Sequence, residues 1–440
     1  MAEEIEAIVV GAGVIGCSIA LGLAQQGRRV LVVDKGPAAG YGSTSSSMAV
    51  IRTYYSTLPS TQLAWESLQA WRDWAGFLAV PPDFASEADL AEYRETGSLF
   101  LLAEDEPLPD ALLVHQDTLG LTYEIWDEAT VAAKMPWLDR DGYAPPRRHD
   151  DPEFGTPSGR RITRALFFPD SGYVTDPQLA ARNLKDAAER HGAQFRFNVT
   201  VSEFLVRDGR AAGVQLSDGK SIDAPITVNA GGPWSSGLNR LAGVEAGMAV
   251  RNRPFRQEVA AVPVPAGMAQ STAAGVALMA DPDIGNYART DVSGRLMIGS
   301  MGADCDPPVW EDDPEGFDRS HTDQWTAQVY RQGLRMPDLA IPGQASGIVD
   351  LYDVTDDWMP IYDKTDLPGF YIACGTSGNQ FKNAPMAGQL MAGLIGWCEA
   401  GHDHDTEPYH FPLARTGGAF DLSTFSRRRP PAETSGSVIG

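Results

Sequence analysis

Histidine and cysteine are scarce in this chain, seven and four among 440 residues. The cysteines, Cys17, Cys305, Cys374 and Cys398, are scattered. They form neither a CxxC pair nor a disulfide framework, a usage suited to a reducing cytoplasm. His402-Asp403-His404-Asp405 gathers ligand-type residues but reads as a solvated loop near the C-terminal end, so no metal is expected. Basic residues are also short: 35 Lys and Arg against 58 Asp and Glu, a net charge of −23. That balance argues against nucleic acid and an anionic membrane surface as partners, and its plain effect is solubility. Runs of about 18 apolar residues are missing, so no transmembrane helix is expected. No secretory leader is expected either, because Met1-Ala2-Glu3-Glu4 is acidic and the apolar run after it reads as a first strand. The expected location is the cytoplasm. No internal repeat is evident, and the length suits two or three domains.

What the chain does have, at its start, is a strand, a glycine turn, a helix and a second strand. Ile5 to Val10 is a short apolar β-run, followed by Gly11-Ala12-Gly13-Val14-Ile15-Gly16. Gly11 permits a tight turn, Gly13 lets a pyrophosphate approach the backbone, and Gly16 lets helix and strand pack closely. The helix N-terminus, with Val14 and Ile15, offers free N–H groups and a partial positive charge to that pyrophosphate. Arg28 to Asp34 gives the second strand. Asp34 ends it about 20 residues past the glycines, where a carboxylate accepts hydrogen bonds from an adenosine ribose. The ordered parts predict a dinucleotide site, with Lys35 beside the acid.

Further along, Leu63 to Leu78 places Leu63, Trp65, Leu68, Trp71, Trp74 and Phe77 at helical spacing, a face for the core. Gly97 to Leu102 is a strand, and Ala144 to Arg161 is an irregular loop rich in Pro, Arg, Asp and Gly. Leu179 to His191 is a helix and Ala193 to Val199 a strand. Phe204 to Val206 and Ala212 to Leu216 flank Asp208-Gly209, a hairpin signal, and Ser217-Asp218-Gly219-Lys220 is a second such turn. Thr227 to Trp234 is a buried strand running into small residues, where a second backbone approach to a dinucleotide fits. From about Leu241 to Gln344, short strands with Pro, Gly and Asp turns point to a separate β-rich domain. Phe370 to Gly378 returns to a strand–glycine unit, followed by a helix from about Ala384 to Cys398. Ser426 to Pro431 reads as a polar tail covering the surface.

Five stretches in order carry a resemblance that spans nearly the whole chain. They are Gly11 to Gly16 with Asp34; Gly42-Ser43-Thr44-Ser45-Ser46-Ser47 running on to Arg52; Phe168 to Val174 with Asp176-Pro177; Asn229-Ala230-Gly231-Gly232-Pro233-Trp234-Ser235; and Gly375-Thr376-Ser377-Gly378-Asn379-Gln380-Phe381-Lys382. The set resembles the FAD-dependent oxidoreductases of the D-amino-acid oxidase superfamily, in the branch with sarcosine oxidase, dimethylglycine dehydrogenase and glycine oxidase. The resemblance implies an α/β fold: a Rossmann-like FAD-binding domain of the glutathione-reductase type, with a second, β-rich mixed-sheet substrate domain. The expected division puts residues 1–80, 160–240 and 345–440 in the FAD-binding domain, and 81–159 and 241–344 in the substrate domain.

By the same resemblance, FAD is held by Gly11, Gly13, Val14, Ile15, Gly16, Asp34, Lys35, Gly42, Ser43, Thr44, Ser45, Ser46, Val201, Ala230, Gly231, Trp234, Gly375, Ser377, Gly378, Asn379, Gln380 and Lys382. Arg52 and Lys382 match the positions that hold a substrate carboxylate; arginine suits bidentate binding and lysine acts as a point charge. Tyr287 is a further candidate for the pocket. Departures from the family also matter. Asp350 stands where some relatives attach flavin through cysteine, and Gly42 to Ala49 has no histidine, so FAD is expected to be non-covalent. Met297 falls at the position of an oxygen-activating lysine and Met301 near that of a histidine, which puts fast oxidase activity in doubt.

The expected function is oxidation of a C–N bond in an amino acid or N-alkyl amino acid by hydride transfer to flavin N5, giving an imine. The expected partners are a small carboxylate-bearing amine and O2 or another electron acceptor, acting on a monomer or small oligomer. Two other readings stay open on the residues alone: oxidation of a 2-hydroxy acid by the same fold, and a flavin-binding subunit without turnover.

Overall fold

The apolar alternation of the first strand decides the first two layers. Ala7–Val10 is buried at all four positions. Ala7 and Val9 join a core shared with helices, while Ile8 and Val10 join a different core on the opposite face. A strand buried on both faces belongs in the middle of a covered parallel sheet. The computed structural model, which describes residues 4–81, 89–268, 278–434 and 436, places it there. The sheet runs Ile361–Lys364, Phe370–Cys374, Ile226–Asn229, Ala7–Val10, Val30–Val33 and Gln194–Arg196. All its pairs are parallel except Ile361–Lys364 with Phe370–Cys374. Helices Val14–Gln25, Pro177–Arg190 and Ala384–Glu399 cover one face. The antiparallel meander Val201–Arg207, Arg210–Leu216 and Ser221–Asp223 covers the other.

A second, mixed sheet has eight strands: Gly347–Thr355, Asn252–Pro263, Arg295–Ser300, Asn286–Thr290, Leu278–Asp281, Ser98–Ala103, Ile162–Phe168 and Glu124–Trp126. Alternation again sorts its faces. Ala260, Val262, Leu296 and Ile298 pack with Trp325 and Val329 of the Asp323–Arg335 helix, while Val259, Ala261 and Met297 turn the other way, onto Met48. The strands Ile162–Phe168 and Gly347–Thr355 hydrogen-bond into this sheet, although the boundaries expected from sequence put them with the nucleotide unit. Both are half-apolar strands flanked by segments of the first unit, and composition does not reveal which sheet edge they join. Among the described residues no helix is long and apolar enough to cross a membrane.

Three segments read from sequence as loop or tail are held by specific partners. The loop after Tyr143 is irregular as expected, and it is pinned: the Tyr143 and Ala144 N–H groups donate to Asp283 at 2.7 and 3.1 Å, and Arg148 donates to Asp323 at 2.8 Å. The His402–Asp405 run is not simply solvated, since His404 is buried and accepts from the Tyr409 N–H. The tail does cover surface, but Arg427 and Arg429 are buried. Arg427 pairs with Asp363, Asp366 and Asp405, and Arg429 with Asp357.

A buried triad anchors the turn end of the eight-stranded sheet. Arg335, fully buried, donates to Asp281 at 2.7 Å and Asp283 at 2.8 Å, and its third nitrogen reaches the Asp139 and Asp141 carbonyls. Removing one partner of such a group strands charges away from water and costs about 3–5 kcal/mol. Arg335→Met is therefore expected to melt well below the wild type. Combining it with Asp281→Asn and Asp283→Asn should recover part of the loss. A thermal melt in which Arg335→Met is unchanged would contradict this.

Candidate active site

The Gly11 turn opens a cavity of about 1020 Å³ that runs between the two sheets. Gly11 has a φ of +109°, and a Cβ there would lie 2.3 Å from the Ala230 carbonyl oxygen. Only glycine lets the two neighbouring strand ends converge this closely. A Cβ on Gly16 would lie 1.9 Å from the Gly11 carbonyl. Gly16 therefore seats the helix on the turn and does not itself line the cavity. The Val14 N–H at the helix start donates to Thr44 Oγ1 at 3.1 Å, which closes the Ser-rich segment over the helix N-terminus. Asp34 accepts from the Ala12 and Gly36 N–H groups, each at 2.6 Å, and these two bonds hold its carboxylate at the cavity wall.

Gly11, Gly13, Val14, Ile15, Asp34, Lys35, the Gly42–Ser46 run, Val201, Ala230, Gly231 and Trp234 all line this cavity. The Lys35 ammonium sits 3.5 Å over the Trp234 ring and pairs with Glu315. The Ser43 hydroxyl and Trp234 indole N–H are buried with no hydrogen-bond partner among the described residues. Buried polar atoms are normally satisfied. The glycine cradle, the helix N-terminus and these two orphaned atoms fit a bound dinucleotide. Asp350 also lines the cavity, where it accepts a hydrogen bond from Ser46 Oγ and lies 3.7 Å from Arg319.

The second glycine loop divides into wall and support. Gly378, Gln380 and Lys382 line the cavity; Gly375, Ser377 and Asn379 do not. The Gly375 N–H donates to the Asp353 carboxylate at 2.6 Å, and the Ser377 N–H donates to the Asp353 carbonyl at 2.7 Å. Asn252 and Ser235 also donate to Asp353. Burial pushes the Asp353 carboxyl up to about 7, against the pull of these donors. The Asn379 carbonyl accepts from Tyr55 Oη at 2.7 Å and from Lys382 Nζ at 2.8 Å.

One end of the cavity holds two cations and several tyrosines. Arg52, just beyond the Val50–Ile51 strand, is 6% exposed; Lys382, in the Phe381–Asn383 turn, is 4% exposed. Both stand over the Tyr55 ring, with the guanidinium carbon 4.3 Å and the ammonium 5.5 Å from its centroid. Arg52 also donates to the Tyr54 carbonyl. Burial first, and the Arg52 charge second, hold the Lys382 amine well below the usual lysine range. Burial pushes the Tyr55 hydroxyl up to about 12. Tyr287 lines the cavity as expected, with its hydroxyl 3.2 Å from that of Tyr352. Tyr54, Leu278, Ala280 and Met301 complete an apolar wall.

Sequence reasoning missed Tyr54, Tyr55, Tyr352 and Asp353. The tyrosine pair directly follows Arg52, and Tyr352-Asp353 lies in the segment read only for its missing cysteine. Met297 requires a correction. It is buried against Met48, Val259 and Ala261 and does not line the cavity. Met48 stands in front of it as the lining residue. A cation does lie behind that wall: Arg289, paired in register with Met297, donates to the Met48 carbonyl at 2.7 Å.

Residues 6–394 match the family described as FAD dependent oxidoreductase (DAO). Among curated proteins, the chain is 24% identical to the FAD-dependent oxidoreductase domain-containing protein 1 of Bos taurus, over 89% of this chain and 81% of that one. It is also 24% identical to the D-amino acid dehydrogenase of Methylobacterium nodulans, over 88% and 94%. Among solved structures, L-proline dehydrogenase from P. horikoshii superposes with a TM-score of 0.74, at 21% identity, covering 97% of this chain and 98% of that one. The family match takes in the glycine turn, the Ser-rich segment and the Lys382 loop. The chain belongs to the DAO family of FAD-dependent oxidoreductases, and it is an enzyme whose cofactor is FAD.

Proposed function

We propose that this enzyme oxidises the C–N bond of an amino acid or N-alkyl amino acid bound as a carboxylate, with FAD held non-covalently. One observation carries the reading. Arg52 and Lys382, both buried, meet at a cavity end walled by tyrosines and apolar side chains. A buried guanidinium recognises a planar carboxylate through charge-assisted hydrogen bonds. The names of two similar proteins, a D-amino acid dehydrogenase and an L-proline dehydrogenase, support the same substrate class.

The residues divide the work. The Gly11–Gly16 turn and helix start hold the pyrophosphate, Asp34 the ribose, and the Ser43–Ser46 hydroxyls and backbone the chain between them. When bound, FAD supplies the acceptor for the hydride leaving the carbon next to nitrogen. Arg52 fixes the carboxylate, which orients that carbon, and the tyrosines with Leu278, Ala280 and Met301 exclude water. Asp353 keeps the Gly375–Lys382 loop in place. Asp350 is engaged by Ser46, and a carboxylate cannot serve as the thiol that covalent attachment requires.

Three outcomes are expected. In an anaerobic panel of amino acids, N-methyl amino acids and 2-hydroxy acids, the visible flavin absorbance should bleach with members of the first two classes. Bleaching by hydroxy acids alone would overturn the C–N assignment. Arg52→Ala should lower kcat/KM on carboxylate substrates about 10- to 100-fold with unchanged FAD content, the loss of a charge-assisted hydrogen bond. Full activity in that variant would mean that no anion is held there. Lastly, the cation behind Met48 is Arg289, which donates to the Met48 and Thr290 carbonyls, and an artificial acceptor should raise turnover above the aerobic rate. In stopped flow, reoxidation by O2 as fast as substrate turnover would make the enzyme an ordinary oxidase.

A further inference from the structure

Lys382 and Arg52 pose an electrostatic problem that a carboxylate-binding role alone does not answer. Two cations stand over one buried tyrosine ring. Lys382 Nζ has the Asn379 backbone carbonyl as its hydrogen-bond acceptor, at 2.8 Å, and forms no ion pair with any described residue. Among the described residues, the elements packed on its turn supply Lys382 with no counter-charge. The Val50–Ile51 strand leads to Arg52 itself. On the Leu58–Arg72 helix, Glu66 is taken by the Arg415 and Thr416 N–H groups, and Arg72 pairs with Glu95 and Asp170. The Ala384–Glu399 helix carries its titratable groups, Cys398 and Glu399, at its far end, where Glu399 pairs with Arg210. Tyr54 and Tyr55 remain, and the Tyr55 hydroxyl donates a hydrogen bond to the Asn379 backbone carbonyl.

Two desolvated like charges this close favour loss of one proton, and arginine does not give up its own. Lysine is the group that yields. An amino acid in neutral water carries the opposite problem: its nitrogen is an ammonium with no lone pair, and hydride loss from the neighbouring carbon requires a free amine.

We propose that Lys382 meets the substrate as a neutral amine and takes the proton of the substrate ammonium on binding. This rests on the amino-acid reading above. The step balances: one N–H bond breaks on the substrate, one forms on Lys382 Nζ, and no electrons change hands between them. Its two products are the two species the site needs, a substrate amine with a lone pair and a lysine ammonium able to pair with the substrate carboxylate beside Arg52. The apolar wall keeps water from competing for the proton. The proton returns to solvent when the product leaves and the carboxylate no longer holds the charge in place.

Lysine labelled with ¹³Cε and ¹⁵Nζ in the FAD-loaded protein reports the charge directly, with the signal lost in Lys382→Met identifying Lys382. At pH 8 it should appear as a neutral amine and turn into an ammonium when acetate is added to saturation. An ammonium signal before acetate overturns the proposal, as does a signal that stays neutral under acetate. Kinetics supply the second arm. The wild-type kcat/KM should be bell-shaped, rising as Lys382 loses its proton and falling above the substrate ammonium pKa. Lys382→Met should lose about 100-fold or more at pH 7 and climb with pH without the falling limb. A falling limb that survives in Lys382→Met overturns the proton transfer. A neutral lysine in a protein that no amine bleaches instead defeats the substrate reading, and the transfer with it; a charged lysine defeats the transfer alone.

Discussion

The Asp353 carboxylate is the contact on which the arrangement turns. It belongs to a strand of the eight-stranded sheet, yet it accepts the Gly375 N–H from the end of a strand in the six-stranded sheet. Asn252 and Ser235 donate to it from two further segments. Desolvating a carboxylate is costly, and several donors aimed at it in a dry interior offset that cost. One side chain thereby fixes the two sheets against each other and sets the loop that brings Lys382 to Arg52. The cavity between the sheets exists because this junction holds while the strand ends at Gly11 and Ala230 converge.

The two ends of that cavity solve different problems. The dinucleotide end uses backbone: a glycine turn, a helix N-terminus and a Ser-rich segment, all of which tolerate variation in neighbouring side chains. The other end uses charged side chains held out of water. Arg52 and Lys382 are kept from water over an aromatic ring, where attraction to an arriving carboxylate is little screened.

Much of this was legible in the chain. The strand–turn–helix–strand start reads clearly because each part has a local signal, and every residue singled out there except Gly16 reaches the cavity. Gly16 differs because its job is backbone clearance, visible only when its Cβ is placed against Gly11. Arg52 and Lys382 meet at the cavity although 330 residues separate them, because ordered motifs carried them there, and Tyr287 lines the same cavity. Asp353 was not legible: an acid in an alternating strand reads as solvent-facing, and its donors come from three distant segments. Met297 failed for a related reason. In a pleated strand a shift of one or two positions moves a side chain between layers, and here Met48 fills the layer that Met297 was expected to reach. The strands Ile162–Phe168 and Gly347–Thr355 escaped assignment because sheet membership depends on partners and not on composition.

The central claim is that this cavity end recognises a negative charge. It is tested most directly by titrating the FAD-loaded protein with acetate and, separately, with acetamide, its neutral counterpart of the same shape, while following the visible flavin spectrum. Acetate should perturb the flavin band saturably, acetamide should not at the same concentrations, and Arg52→Ala should abolish the acetate response. Equal responses to the two, or an acetate response that survives in Arg52→Ala, would contradict the account.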